Sequence, residues 1–377
     1  MTITTAPVGK RLRAQGKVRQ EDARRHHRTV LLQHLFRSGS ASRADLARTT
    51  GLTRVTVSDL VAEMLADGLV EELGAPVEAR VGKPPTMVGM AVDSSHIVAI
   101  DLSADDKMSG AVMNLAGTVV HRAELSSVGA QGAAAVALTT ELAKSLVAMA
   151  DRPVLGIGIG SPGIVDDRGT VLDAPNLGWH GTDLGGEVAR ATGVPVHVAN
   201  DANVAALAEH TYGGAADGGL MVLRIGFGVG AGLILEGVLL HGHRAAAGEI
   251  GHVTVDDDGD ACACGRVGCL ETLLAVPRLR ARLAAADDKA GLLAATGARL
   301  GEVLAPVIGA LNVHELVLTG PLDLLDGPLR DAVTATLRRR VMAVTSDGLT
   351  VRTSNLGDDV VLVGAAGLVL AGELGVS

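Results

Sequence analysis

The stretch GEIGHVTVDDDGDACACGRVGCLET, residues 248–272, holds all three cysteines of the chain. His252 comes first, then Cys262 and Cys264 as C-x-C, then Cys269 behind G-R-V-G. One imidazole and three thiolates form a closed four-ligand set for zinc, with no open position for catalysis. Cysteines usually favour burial, whereas these stand among Asp, Gly and Arg. An odd, tightly clustered set is not a disulfide framework, so metal binding is the better reading. The expected ligands are His252, Cys262, Cys264 and Cys269. The ion's role is structural: it pins a loop that lacks an apolar core of its own.

On both sides of this loop, residues 91–377 alternate strands and helices. Patterning predicts strands at 97–103, 110–115 and 118–125, a helix over 131–149, and strands at 153–160 and 195–199. A helix starts near 202. The opening pattern then returns, with strands at 219–226 and 230–236, helices through 293–312 and a strand at 315–319. Two halves that each open on a β-hairpin imply a duplicated α/β fold with a cleft between two lobes. The last helix, VVLVGAAGLVLAGEL, is expected to pack back on the first lobe.

The chain has 377 residues, enough for two or three structural units. Its aromatics are Phe36, Phe227, Trp179 and Tyr212, so nucleic-acid contact cannot rest on rows of stacking rings. The net charge of −9 hides a split. Residues 1–90 hold 14 Lys/Arg against 9 Asp/Glu, and the remainder holds 19 against 33. A basic head on an acidic body implies that only the head meets a polyanion. The start, MTITTAPVGKRLRAQGKVRQ, lacks the apolar core of a secretory signal. No apolar stretch reads as long enough to span a bilayer. We therefore expect a cytoplasmic protein with no membrane partner.

The head is expected to comprise a disordered basic tail, residues 1–23, and a folded part, residues 24–90. RRHHRTVLLQHLFRSG reads as a helix closed by Gly39. SRADLARTT follows, with Ser42 as N-cap and Asp45 three residues on, a capping-box pattern. Thr53 caps a third helix, RVTVSDLVAEMLADG, whose buried stripe is Val57, Leu60, Val61 and Met64. Leu69–Leu73 and Thr86–Ala91 can form a hairpin. Three short helices and a hairpin make a winged helix-turn-helix. Its third helix offers Arg54, Thr56 and Ser58 to base edges, with Thr53 at the cap, and Arg43 to phosphates. Arg80 and Lys83, around a glycine and before two prolines, suit a minor groove. The expected partner is a two-fold symmetric double-stranded operator.

G-E-I-G-H followed by C-x-C-G-x-x-G-C-L-E resembles the signature of the ROK family, which groups repressors, open reading frames and sugar kinases. GIGIGSPGIVD (156–166), APNLGW (174–179), NDAN (200–203) and GFGVGAG (226–232) are similar to family stretches and come in the family's order. The resemblance implies a two-lobed actin-like fold, the duplicated RNase H-like architecture of sugar kinases, behind the winged head of the regulator branch. It also implies a sugar pocket formed by Asn176, Asn200, Asp201, Glu249, His252 and Glu271. Carboxylates and amides in a cleft can bond vicinal hydroxyls, and reject ligands that lack them. His252 then serves twice, with one ring nitrogen on zinc and the other facing the sugar.

In the kinases of this family the first hairpin reads D-I-G-G-T-K. Here Asp101 remains, but Ser103, Ala104, Asp105 and Asp106 stand where Gly, Gly, Thr and Lys would be. Two carboxylates about 4 Å from a triphosphate would each repel a unit charge by roughly 1–4 kcal/mol. The second phosphate loop has Phe227 in place of a hydroxyl. No ATP is expected, and Asp201 is the general base only if kinase activity survives. The resulting expectation is a non-enzymatic, sugar-responsive regulator, a repressor, acting as a homo-oligomer, dimer or tetramer. Two alternatives stand beside it. One is an active ATP-dependent, glucokinase-like sugar kinase with a DNA-binding head. The other is a ligand-independent regulator whose vestigial pocket serves dimerisation.

Overall fold

The computed structural model describes residues 20–74, 85–215 and 218–377. Two compact units divide between Met90 and Ala91. Arg80 and Lys83, the expected wing-tip residues, lie outside the described residues, as do residues 1–19 of the expected tail.

The first unit runs α1 (Gln20–Ser38), β1 (Ser40–Ser42), α2 (Arg43–Thr50), α3 (Arg54–Ala66), β2 (Val70–Gly74) and β3 (Met87–Met90). Helix α1 already includes residues 20–23, which sequence assigned to a disordered tail. That segment, Gln-Glu-Asp-Ala, carries its acids at a helix start, where they favour helix. The Ser42 hydroxyl accepts the Asp45 N–H while the Asp45 carboxylate accepts the Ser42 N–H, so the capping box forms. Gly51 ends α2 in the left-handed region at φ 73°. Leu31, Leu35, Leu46, Val57, Leu60, Val61 and Met64 form the buried centre. Strand β3 pairs antiparallel with β1 and β2.

The second unit begins with β4 (His96–Asp101), β5 (Lys107–Asn114), β6 (Val119–Ser126), α4 (Ala133–Met149) and β7 (Val154–Ser161). It continues with β8 (Ile164–Val165), β9 (Val171–Ala174), β10 (Trp179–Thr182), α5 (Leu184–Thr192), β11 (Val196–Asn200) and α6 (Asp201–Thr211). Next come β12 (Leu220–Ile225), β13 (Val229–Leu235), β14 (Val238–Leu239), α7 (Leu270–Leu274), α8 (Val276–Ala284) and α9 (Lys289–Leu311). The chain closes with β15 (Glu315–Thr319), α10 (Leu322–Leu325), α11 (Pro328–Arg340), α12 (Ala343–Ser346), β16 (Thr350–Thr353) and α13 (Val360–Val369).

Two five-stranded sheets, β11-β7-β4-β5-β6 and β14-β13-β12-β15-β16, repeat one topology. In each, the first three strands form an antiparallel meander and the last two add parallel to the first. The duplication read from the sequence is therefore complete strand for strand. Helices α4 and α5 cover the outer side of lobe 1. Helices α7, α8, α9 and α11 contribute the core of lobe 2. Between the sheets run α13, packed on β4 and β7, and α6, packed on β12 and β13.

Glycine sets that middle spacing. Strand β7 reads V-L-G-I-G-I-G-S, and its glycines face α13. A Cβ at Gly158 would overlap the Ala365 carbonyl, and one at Gly160 would overlap Val361. Where the helices meet, a Cβ at Gly364 would run into the Val204 carbonyl. Backbone thus packs on backbone where aromatic side chains would not fit.

Helix α9 corrects one expectation. Its 23 residues are long and apolar enough, by composition, to cross a membrane. Leu293, Leu300, Leu304 and Ile308 bury one face of it in lobe 2, and Gly297 and Gly301 let α11 approach closely. A small sheet, β10-β9-β8, was also unforeseen, because its strands of two to four residues are too short to show a period. It leads to Trp179, which is buried and donates its indole N–H to the Gly132 carbonyl at 2.9 Å.

Candidate functional site

The four expected metal ligands converge. Their ligand atoms, one from each of His252, Cys262, Cys264 and Cys269, lie within 4.8 Å of one another. His252 Nδ1 is 3.6 Å from Cys262 Sγ, and Cys264 Sγ is 3.6 Å from Cys269 Sγ. Zinc–sulfur bonds of about 2.3 Å in a tetrahedron put ligand atoms roughly 3.8 Å apart, so this donor set fits such an ion. Backbone geometry brings them together. The Val255 N–H donates to Gly268 O and the Cys262 N–H to Arg266 O, both at 2.8 Å. Gly265 and Gly268 turn the loop at positive φ.

The same loop builds one side of the cleft. Glu249 immediately precedes the short turn Ile250–His252, and its Oε2 is 3.8 Å from His252 Nε2. His252 therefore turns one ring nitrogen to the cysteines and the other to Glu249. Glu271, at the start of α7, sits 3.5 Å from Cys262 Sγ and accepts the Val229 N–H at 3.0 Å. Burial pushes the Glu249 carboxyl above its usual range; His252 opposes this, while Asp201, Glu271 and Asp173 add to it. Asp173, on β9, was not singled out from the sequence. It pairs across the small sheet with His180, 2.9 Å from its ring.

Asn200 and Asp201 open α6. The Asn200 side-chain oxygen accepts the Ala202 and Asn203 N–H groups, and its amide donates to Gly163 O at 2.9 Å. Much of its bonding capacity thus goes to the helix cap, which fixes Asp201. Burial raises the Asp201 carboxyl, with Arg224 pulling it down and Asp101 pushing it up. Asn176 is exposed on the turn Pro175–Leu177, and its backbone carbonyl accepts from the Gln131 side-chain amide at 3.4 Å.

The side where a nucleotide would lie is a cavity of about 420 Å³ lined by Asp101, Ser103, Asp105, Arg224, Gly226 and Phe227, among others. Asp105 lines it. Asp106 is exposed and not among its walls, so the expected repulsion comes from one new carboxylate rather than two. Arg224 supplies what the sequence reading missed. Its Nη2 donates to Ser103 Oγ, and its Nε is 3.5 Å from Asp201 Oδ2. Ser103 in turn donates its N–H to Asp101 Oδ1 at 2.8 Å, and its hydroxyl to the same oxygen. The glycines of the second loop are occupied as well. A Cβ on Gly226 would stand 2.5 Å from Arg224 Nη1, and one on Gly228 2.9 Å from Glu271 Oε2. Both make room for side chains of this chain. The signal was a lone arginine near the end of the apolar strand LMVLRI.

In the first unit, Thr53 caps α3 by accepting the Thr56 N–H at 3.2 Å, and its hydroxyl lies 2.9 Å from that of Thr56. Arg54 and Ser58 are exposed on the first turns of α3, and so is Val55, 70% exposed, which sequence reasoning passed over. Arg43 pairs with Glu72 at 2.9 Å.

The family model described as ROK family matches residues 97–371. A xylose repressor of Caldicellulosiruptor bescii is 33% identical over 251 residues, covering 65% of this chain and 62% of that relative's length. A glucokinase of Halalkalibacterium halodurans is 31% identical over 301 residues, 69% of this chain and 90% of its own. The crystal structure of a ROK family transcriptional regulator, a homologue of the E. coli MLC protein, has a TM-score of 0.79. At 24% identity it covers 94% of this chain and 97% of its own, and so shares the fold.

Proposed function

This chain belongs to the ROK family, and on that premise we propose that it is a sugar-responsive, DNA-binding transcriptional repressor. Residues 24–90 form a winged helix-turn-helix that reads a two-fold symmetric operator, with Thr53, Arg54, Thr56 and Ser58 at base edges and Arg43, Arg80 and Lys83 on the DNA backbone or minor groove. Residues 91–377 receive a sugar or sugar derivative through Asn176, Asn200, Asp201, Glu249, His252 and Glu271. Zinc on His252, Cys262, Cys264 and Cys269 holds the loop and orients the His252 ring toward the effector. The protein works as a homo-oligomer, with two heads on two half-sites.

The observation that carries this reading is the contrast inside the cleft. On one side the Glu249 carboxylate stays about a third exposed, whereas on the other Arg224 bonds Ser103 and Ser103 bonds Asp101. An effector bridging the lobes changes their spacing only if it prefers one spacing over the other; that differential affinity is the regulatory step.

Calorimetry of the full chain against pentoses and hexoses, with operator release followed by anisotropy, tests it. One sugar should bind and release the operator, and Glu249→Ala should weaken that binding and raise the sugar concentration needed for release. Operator release by no sugar in the panel overturns the reading. Operator affinity should fall roughly 10³–10⁵-fold between about 50 and 200 mM salt if six to ten phosphates are contacted.

The similarity to a glucokinase and the presence of Asp201 favour a second reading, a kinase with a DNA-binding head. ADP release in a coupled assay with the bound sugar would establish it in place of the non-enzymatic one.

A further inference from the structure

We propose that Arg224 is an interlobe tie: a positioning residue that joins β12 of lobe 2 to Ser103 and Asp201 at the edge of the lobe 1 sheet, and so sets the lobe spacing an effector must change. The part concerning the effector rests on the sensor reading above; the tie itself does not.

Three segments distant in sequence meet at one guanidinium. Arg224 is the penultimate residue of β12 in lobe 2, and the other residues of the strand are all buried. Its side chain is 16% exposed, and that of Asp201 17%. Nη2 donates across the cleft to Ser103 Oγ, on the turn after β4 of lobe 1. Nε faces Asp201 at the start of α6, the helix between the two sheets. Ser103 is fixed by two bonds to Asp101, so the pull reaches the end of a central strand rather than a free loop.

Electrostatics makes the tie necessary. Asp101 ends β4 and Asp201 follows the end of β11 on the same edge of the lobe 1 sheet, and the two lie close enough for the first to disfavour ionisation of the second. Left to themselves in a partly desolvated cleft they would repel each other or take up protons, so this edge of lobe 1 attracts a cation from lobe 2. The guanidinium between them offsets that repulsion. Its planar fork serves two partners at once, which an ammonium group does less well. Gly226 completes the fit, because the guanidinium lies over the place a Cβ would occupy. The glycine that would let backbone approach a phosphate here lets a side chain lie flat.

The test measures lobe spacing in the full chain. Labels on non-canonical residues replace Val128 and Val344, 76% and 75% exposed on lobes 1 and 2, leaving the native thiols untouched. Single-molecule energy transfer then gives the distance distribution. Wild type should give one narrow distribution. Arg224→Met and Ser103→Ala should both widen it and lengthen its mean, and Arg224→Lys should fall between. Ser103→Ala removes one hydroxyl and keeps the proposal testable if Arg224→Met does not fold. A Ser103→Ala distribution superposed on wild type, with a cooperative melt retained, overturns the tie. Adding D-xylose or D-glucose gives the second arm. The sugar that binds wild type should shift its distribution, and that shift should be lost in Arg224→Met. An equal shift in both overturns the coupling. If no sugar moves wild type while both variants differ from it, the sensor reading fails and the tie stands.

Discussion

Glu249, on one side of the cleft, keeps about a third of its side chain exposed, with the His252 ring 3.8 Å away. Across from it, Arg224 bonds Ser103 and Ser103 bonds Asp101 in series, and the space above Gly226 and Gly228 is taken by Arg224 and Glu271. Both sides use charged residues and glycine. They differ in whether polar groups are left for a visitor. A receptor site keeps hydrogen-bonding capacity in reserve, and a site that has spent most of its own offers a newcomer chiefly desolvation cost. On the proposed reading, a kinase-shaped cleft has turned into a sensor by using up one half of itself, not merely by losing a few glycines.

The largest way to break this contrast is to remove the metal set. Cys269→Ser should reduce zinc from one ion per chain to none by atomic absorption, and weaken sugar binding by at least ~100-fold, because His252, Glu249 and Glu271 all depend on that loop. Normal sugar binding by a zinc-free chain would show that the open side is not organised by the ion. Glu249→Ala should come next, weakening the sugar about 10–100-fold through loss of a charge-assisted hydrogen bond, with sugar-free operator affinity unchanged. Arg54→Ala sharpens the comparison from outside: operator binding should fall by about 1–3 kcal/mol while calorimetric sugar affinity stays the same. Asn200→Ala is the smallest. With its oxygen committed to the α6 cap, the variant should lose about 1 kcal/mol of stability in thermal melts and less in sugar affinity.

Local chemistry made much of this legible in the sequence. Ser42 and Asp45 form the box their spacing announced, Thr53 caps α3, and the strand at 315–319 lies where its apolar run put it. The metal ligands were readable because three of the four sit within eight residues of one another. Arg224 was not, because its partner Ser103 is 121 residues away and a lone arginine at a strand end looks like an exposed one. Asp173 was hidden in strands too short to show a period. Asn200 shows a subtler limit: the motif named the right residue, but only the fold reveals how much of its amide the helix has already claimed.

The buried ring of Trp179 gives the chain a built-in optical gauge. It is the sole tryptophan, sealed among lobe 1 side chains three residues beyond Asn176. Ultraviolet emission from an untagged sample therefore comes chiefly from one known address, beside the turn where an arriving ligand would first be felt. Occupancy can be followed as a change of colour or brightness, in real time and without altering a single atom.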